Sequence, residues 1–286
     1  MQSRFAFLPS RAVLALEGPD TIALLERLIT SNTADWSPGE ARFGALLTPQ
    51  GKVIVDFLGI RTGDGVLLDV HKDAVDDLTK RLKMFRLRSD VNIEPVDGAL
   101  VVAGIDPADH GVRPVSGAEL VYIDPRYPGG RLRAIASETE WRQYHGHEAE
   151  WSVPIGEHDA DRIASCVPEW GRDYRSAQVF PADVNMDRLG GVDYKKGCFV
   201  GQEVVSRMYR RGSIRKRTVT LRHARPDVEA QILSEQGQVI GAVTSTHGDL
   251  SLALLRIDRL VQTTIDAEIE GPDWIDEEWA RDKTHD

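Results

Sequence analysis

Two hydrophobic rhythms alternate over the first hundred residues. Ile22, Leu25, Leu28 and Ile29 recur at helical spacing behind Pro19-Asp20, which predicts a capped amphipathic helix ending near Ser31-Asn32. The period then shortens, and residues 43–47 and 53–60 read as strands joined by the turn Thr48-Pro49-Gln50-Gly51, with another strand over 65–70. Val75, Leu78, Leu82 and Phe85 restore helical spacing over 73–87, after which 91–96 and 99–103 resume as short strands. Helices alternating with strand pairs of antiparallel character predict an α+β, ferredoxin-like arrangement rather than a purely parallel sheet.

From residue 104 to 130 glycine, proline and aspartate break the pattern into loops, leaving short strands around 121–123 and 132–135 and helices over 138–148 and 159–166. Beyond residue 217 the chain changes character. β-Branched runs at 217–223, 238–246, 250–257 and 264–269 predict a small β-barrel module. The expected division is therefore an α+β region over 1–216 and a barrel over 217–286 ending in an acidic tail, where Trp274 and Trp279 are candidate docking residues. A chain of 286 residues has room for both.

A formal net charge of −10 argues against a broad nucleic-acid-binding face. Charges interrupt every apolar run well before the roughly 18 residues of a transmembrane helix, so no membrane association is expected. The N-terminus lacks the pattern of a signal or transit peptide. Cys166 and Cys198, the two cysteines, fit a reducing compartment, although their spacing leaves a bridge between them open; the expected location is cytoplasmic. The eight histidines show no metal-ligand spacing, and no metal site is expected.

Candidate chemistry concentrates in Lys195-Lys196-Gly197-Cys198-Phe199-Val200-Gly201-Gln202-Glu203. Val204, Val205 and Met208 follow at helical spacing, which puts Cys198 near a helix N-terminus where unpaired N–H groups, the helix dipole and two lysines favour a thiolate. The alternative is a small buried apolar residue. Arg207, Arg210, Arg211, Arg215, Lys216 and Arg217 follow without an intervening acid, forming either a solvated helix end or an anion site. Asp56 interrupts an apolar strand, where an edge position facing solvent is the simplest reading.

Lys196 to Glu203 resembles the signature of the YgfZ family, folate-binding proteins of iron–sulfur cluster assembly and repair related to the glycine-cleavage T-protein. Residues 46–56 and 181–187 resemble two further segments of that superfamily, and Thr30-Ser31-Asn32, Arg207, Arg215-Lys216-Arg217 and residues 241–255 match in the same order. The resemblance implies a T-protein-like folate-binding fold, with tetrahydrofolate or a derivative as ligand and iron–sulfur enzymes or assembly proteins as partners. It also implies Asp56 and Asp183 as pterin-facing acids, with Asn185, Lys196, Gly197, Gly201, Gln202, Glu203 and Arg207 in the folate site and Cys198 as the functional thiol.

Asp183 stands where the family more often has glutamate, and turn or helix capping is its alternative role. Cys198 replaces the acid that opens the corresponding T-protein motif, which disfavours aminomethyl transfer. A folate-dependent aminomethyl- or methyltransferase centred on Asp56 and a non-catalytic, client-docking scaffold remain the competing readings. Iron–sulfur association at this cysteine would be transient or shared, because a cluster usually takes four ligands.

Overall fold

The structure is a computed structural model that describes residues 4–63, 65–107, 118–145, 152–222, 227–260, 264–271 and 274–275. In chain order it runs through β1 (Phe5–Phe7), β2 (Arg11–Glu17), α1 (Thr21–Leu28), β3 (Ala41–Leu47), β4 (Val53–Arg61) and β5 (Gly65–His71). A 3-10 turn at Lys72–Ala74 leads into α2 (Val75–Arg86), followed by β6 (Asn92–Pro95), β7 (Ala99–Pro107), β8 (Leu120–Asp124) and β9 (Arg131–Ser137). After α3 (Glu138–His145), β10 (Ser152–Val153) and α4 (Ile155–Ala164), a 3-10 turn at Pro181–Val184 precedes α5 (Gln202–Arg210). The chain continues through β11 (Lys216–Arg222), β12 (Gln231–Leu233), β13 (Val239–His247), β14 (Leu250–Arg256), α6 (Ile257–Leu260) and β15 (Glu268–Gly271).

Pairing sorts the strands into three five-stranded sheets. In the first, of order β3-β4-β5-β2-β6, every pair is antiparallel. Without edge strand β3, the order β6-β2-β5-β4 is that of a βαββαβ ferredoxin-like unit with α1 and α2 as crossovers. The second sheet, β10-β1-β7-β9-β8, takes the N-terminal strand β1 between β10 and β7. The third, β12-β13-β14-β11-β15, begins at Lys216 and has its own core around Val219, Leu221, Ile240 and Leu255.

The largest core joins the first sheet to α1 and α2, and it also takes in Tyr122 and Ile135 from the second sheet and Trp170, Tyr174, Phe199 and Val205 from later segments. Thr21, Leu24, Leu25 and Leu28 form the buried stripe of α1. These are the i, i+3, i+4 and i+7 positions of one helix face. Helix α1 starts where the pattern places it but ends at Leu28 rather than near Ser31-Asn32, and Asp20 does not cap it: its carboxylate accepts the Asp90 N–H at 2.8 Å.

Strands β1, β2, β10 and β12 are absent from the sequence reading. The Arg11–Glu17 run, rich in alanine and leucine, lacks strict alternation because β2 is internal and buries residues on both faces. The helix expected over 159–166 begins earlier and ends at Ala164, leaving Cys166 beyond it in the left-handed region at φ 54°. Residues 146–148 of the helix expected after β9, along with Trp279 and the tail from 276, lie outside the described residues.

Candidate functional site

The segment 195–203 is pinned against the first sheet by its own backbone and by one buried lysine. Lys196 Nζ donates to the carbonyls of Ile29 at 2.9 Å and Ser31 at 2.8 Å, just past α1, and pairs with Glu26 at 3.4 Å. Burial lowers the pKa of Lys196, and Glu26 opposes that shift by favouring the ammonium. Gln202 Nε2 returns to the Lys196 carbonyl at 3.3 Å. These two site residues are therefore occupied in holding the turn together.

Gly201, at φ 81°, caps α5 from the left-handed region, and a Cβ there would meet the Thr48 carbonyl oxygen at 2.6 Å. Glycine is required twice over, by conformation and by space. Gly51, in the β3–β4 turn, has φ 79° and lies under Val204 and Val205 in the same way. The Thr48–Gly51 turn and the Gly201 cap are thus two sides of one close contact. At Gly197, by contrast, the nearest atom to a built Cβ is Glu26 Oε1 at 3.9 Å.

Phe199 is buried in the main core, whereas Gly197 and Cys198 stand exposed beside it. Cys198 lies near the N-terminus of α5, as the spacing places it, but on the turn three residues before the Gly201 cap and so outside the first helical turn. The helix dipole acts over that first turn and is correspondingly weak at the thiol. The buried-apolar alternative also fails for Cys198, but it describes Cys166. Cys166 donates its thiol to the Thr218 carbonyl at 3.3 Å, and burial pushes its pKa up to about 12.

Asp56 is 1% exposed and internal to the first sheet, between β3 and β5. The solvent-facing edge reading is therefore corrected. Its Oδ2 accepts the Tyr174 hydroxyl and, at 3.3 Å, the Trp170 N–H. Burial raises its pKa, with Arg11 and Tyr174 pulling the other way.

Beside it lies an ion-pair network that the sequence reading missed. Arg11 Nε donates to Asp69 at 2.6 Å, Arg133 bonds to Asp69 at 2.7 Å and to Asp124 at 3.0 Å, and Arg126 chelates Asp124 and approaches Glu169 at 3.6 Å. Tyr122 donates its hydroxyl to Asp69 at 2.8 Å. The members come from β2, β5, β8, β9 and two loops. A charged residue inside each of several apolar strands was the available signal, but only the fold shows that they meet.

Asp183 is the third residue of its 3-10 turn, and its carboxylate accepts the Phe180 N–H at 2.9 Å. This is the capping alternative. Burial raises its pKa, while the Phe180 hydrogen bond and Lys52 oppose. Asn185 is wholly buried at φ 61° and donates to the Thr218 carbonyl at 2.9 Å, which bonds the α+β region to β11, while its Oδ1 is buried without a hydrogen-bond partner among the described residues. Glu203 and Arg207 are exposed on the outer face of α5.

Among the described residues Asp56, Asp183 and Cys198 share no hydrogen-bond partner: the first two are buried and bonded to protein donors, and the third is on the surface. A pterin needs paired acceptors within reach of its ring edge. In each acid the protein donors fall on Oδ2.

Structural comparison finds the crystal structure of the glycine cleavage system aminomethyltransferase T from Bartonella henselae at a TM-score of 0.71 and 15% identity, covering 90% of this chain and 79% of that one. The chain thus has a T-protein-like fold, mixed α/β with antiparallel sheets. Residues 215–278 match the family model of the CAF17 C-terminal β-barrel domain. A mitochondrial iron–sulfur cluster assembly factor IBA57 homolog from Mycosarcoma maydis is 32% identical over 232 residues, 76% of this chain. By sequence, the chain is a relative of the IBA57 proteins.

The human mitochondrial IBA57 is 28% identical over 284 residues, and the Pyricularia oryzae homolog 26% over 294. The chain spans 57% of the length of the M. maydis relative and 77% of the human one. These relatives are mitochondrial, which overturns the cytoplasmic expectation. Two free cysteines are compatible with a reducing environment, and that property does not single out one compartment. Among the described residues no helix is long and apolar enough to cross a membrane.

Proposed function

We propose that this protein supports iron–sulfur cluster assembly in client enzymes and that Cys198 is the side chain through which it acts, the reading by which it is a YgfZ-type protein. The observation that carries the proposal is the similarity to IBA57 assembly factors, taken with a signature cysteine held exposed on a rigid turn. Lys196 fixes the turn from below, Phe199 anchors it in the core, and Gly201 lets the chain enter α5 immediately afterwards. The cluster or its iron is cargo in this reading. One thiolate is one ligand of the usual four, so the remaining ligands come from a second protein.

Tetrahydrofolate, expected from the family resemblance, has no step in this reading; Asp56 and Asp183, the acids that would face its ring, each accept from protein donors through Oδ2. Aminomethyl transfer is likewise set aside: Cys198 stands in place of the T-protein acid.

Complementation tests the proposal. In cells lacking their own copy, the native chain restores iron–sulfur enzyme activity, Cys198→Ser does not, and Cys166→Ser does. In the folded protein, iodoacetamide modifies Cys198 and leaves Cys166 untouched until denaturant is added. Full complementation by Cys198→Ser removes the thiol from the mechanism. A melting temperature that rises with tetrahydrofolate returns folate to it, since a ligand at 100 times its Kd stabilises by about 2.7 kcal/mol.

A further inference from the structure

The basic run that follows the motif separates, in the fold, into groups with different surroundings. Arg217 is buried and chelates Asp187 at 2.6 and 2.9 Å. Arg215 lies in the field of Asp258, and Lys216 in that of Asp183. Arg207, Arg210 and Arg211 are exposed, and among the described residues no carboxylate pairs with them.

Scarcity of acids does not explain this, since the chain has 45 acidic and 35 basic residues. Elsewhere Arg11, Arg131, Arg133, Arg162 and Arg217 each hold a carboxylate within 3 Å.

The three free arginines also share one face. With Gln202, Glu203 and Ser206 they border an open depression of about 490 Å³ on the outer side of α5. On the inner side Val205 is buried, and Tyr209 stacks on Tyr194 with ring centroids 3.9 Å apart. Gly51 packs beneath Val204 and Val205. The helix is thereby fixed while its charged stripe is left, among the described residues, without a carboxylate partner.

We infer that the Arg207–Arg210–Arg211 stripe of α5 is a docking face for an acidic segment of a partner protein. Charge complementarity selects the occupant. Residues three and four apart on a helix are neighbours about 5–6 Å apart, and guanidinium forks take carboxylates two bonds at a time. A single exposed ion pair is worth little, but three on one face raise the association rate and choose the sign of the partner. Glu203 at the other end of the stripe gives it polarity: the partner's acids lie toward Arg210 and Arg211, and its neutral or basic end toward Glu203. That the partner belongs to cluster assembly rests on the proposed function; the acidic character of the segment does not.

Fluorescence anisotropy on the full chain tests the inference, using a labelled helical peptide with glutamates three and four apart and the same peptide with glutamines. The native chain binds the glutamate peptide, binding weakens as salt is raised, and the glutamine peptide fails to bind. R207Q/R210Q/R211Q, checked for folding by circular dichroism, loses at least tenfold in affinity. R27Q/R61Q/R259Q, which removes three arginines bonded to hydroxyl or carbonyl oxygens elsewhere, keeps it. R207E/R210E/R211E binds the peptide remade with lysines.

Equal binding by the native and R207Q/R210Q/R211Q proteins overturns the docking face. So does polyglutamylated tetrahydrofolate binding the stripe tenfold more tightly than the peptide, which assigns it to a small anion. Self-association in sedimentation that is abolished by R207Q/R210Q/R211Q assigns the stripe instead to a second copy of this chain. Complementation that survives while R207Q/R210Q/R211Q loses the peptide separates failure of the surface as an essential partner site from failure of the assembly role.

Discussion

Asp56 and Asp124 are both sealed from solvent, yet their surroundings drive them in opposite directions. Burial raises both, but Arg126 and Arg133 reverse the effect at Asp124 and hold it at about 2, whereas at Asp56 burial outweighs Arg11, the Tyr174 hydroxyl and Arg126. A depressed carboxyl contributes stability above its unfolded pKa of roughly 4, lost as pH falls through the folded value. A raised one contributes stability below roughly 4, lost as pH rises through the folded value. Asp56→Asn keeps an acceptor for Tyr174 and Trp170 without the buried charge. It is expected to be at least as stable as the native chain at pH 7 and to flatten the decline in stability above pH 4. Urea unfolding across pH 4–8 checks this; a loss above about 2 kcal/mol at pH 7 contradicts it.

At the scale of elements, the junction of the β3–β4 turn with the cap of α5 joins two segments far apart in sequence. Gly201 has both a positive φ and a carbonyl oxygen where a Cβ would go. Gly201→Ala is therefore expected to cost more than the ~1 kcal/mol typical of a glycine change in relaxed backbone, because it adds steric overlap with Thr48 to the left-handed strain. Gly197→Ala, with no atom closer than 3.9 Å to the built Cβ, serves as the control and is expected to be near neutral. Thermal melts of the two variants should separate clearly. Similar melting temperatures would mean that the turn and helix move apart without penalty.

Across the whole molecule, the Arg133 network ties the first sheet, through Asp69 on β5, to the second, through Asp124 on β8, and to the loop bearing Glu169. Arg133 is 1% exposed. Arg133→Met leaves two buried carboxylates short of a partner, which costs about 3–5 kcal/mol at pH 7. The penalty should shrink in acid as Asp69 and Asp124 take up protons, since both are held below their ordinary values in the native chain. Chemical unfolding at pH 7 and pH 3 tests both parts: a penalty independent of pH would mean that Arg133 acts by packing alone.

Much of this architecture is legible in the residues themselves. The Ile22–Leu28 and Val75–Phe85 spacings, the Thr48–Gly51 turn and the β-branched runs after Lys216 specify elements that the fold contains, because periodicity and turn chemistry are local. The glycines and the Cys198 turn are local too, and stand out for the same reason. Strand β2 is less legible because burial on both faces erases alternation, and the role of Asp183 is ambiguous because a short carboxylate can cap a turn or meet a ligand. Tertiary structure decided what local pattern has no means to express. It buried Asp56, gathered Arg11, Asp69, Asp124, Arg126, Arg133 and Glu169 into one network, and in the basic run paired Arg217 with Asp187 while leaving Arg207, Arg210 and Arg211 without a carboxylate among the described residues. Whether a charge is satisfied depends on groups up to 100 or more residues away, and only the packed chain brings them within a hydrogen bond.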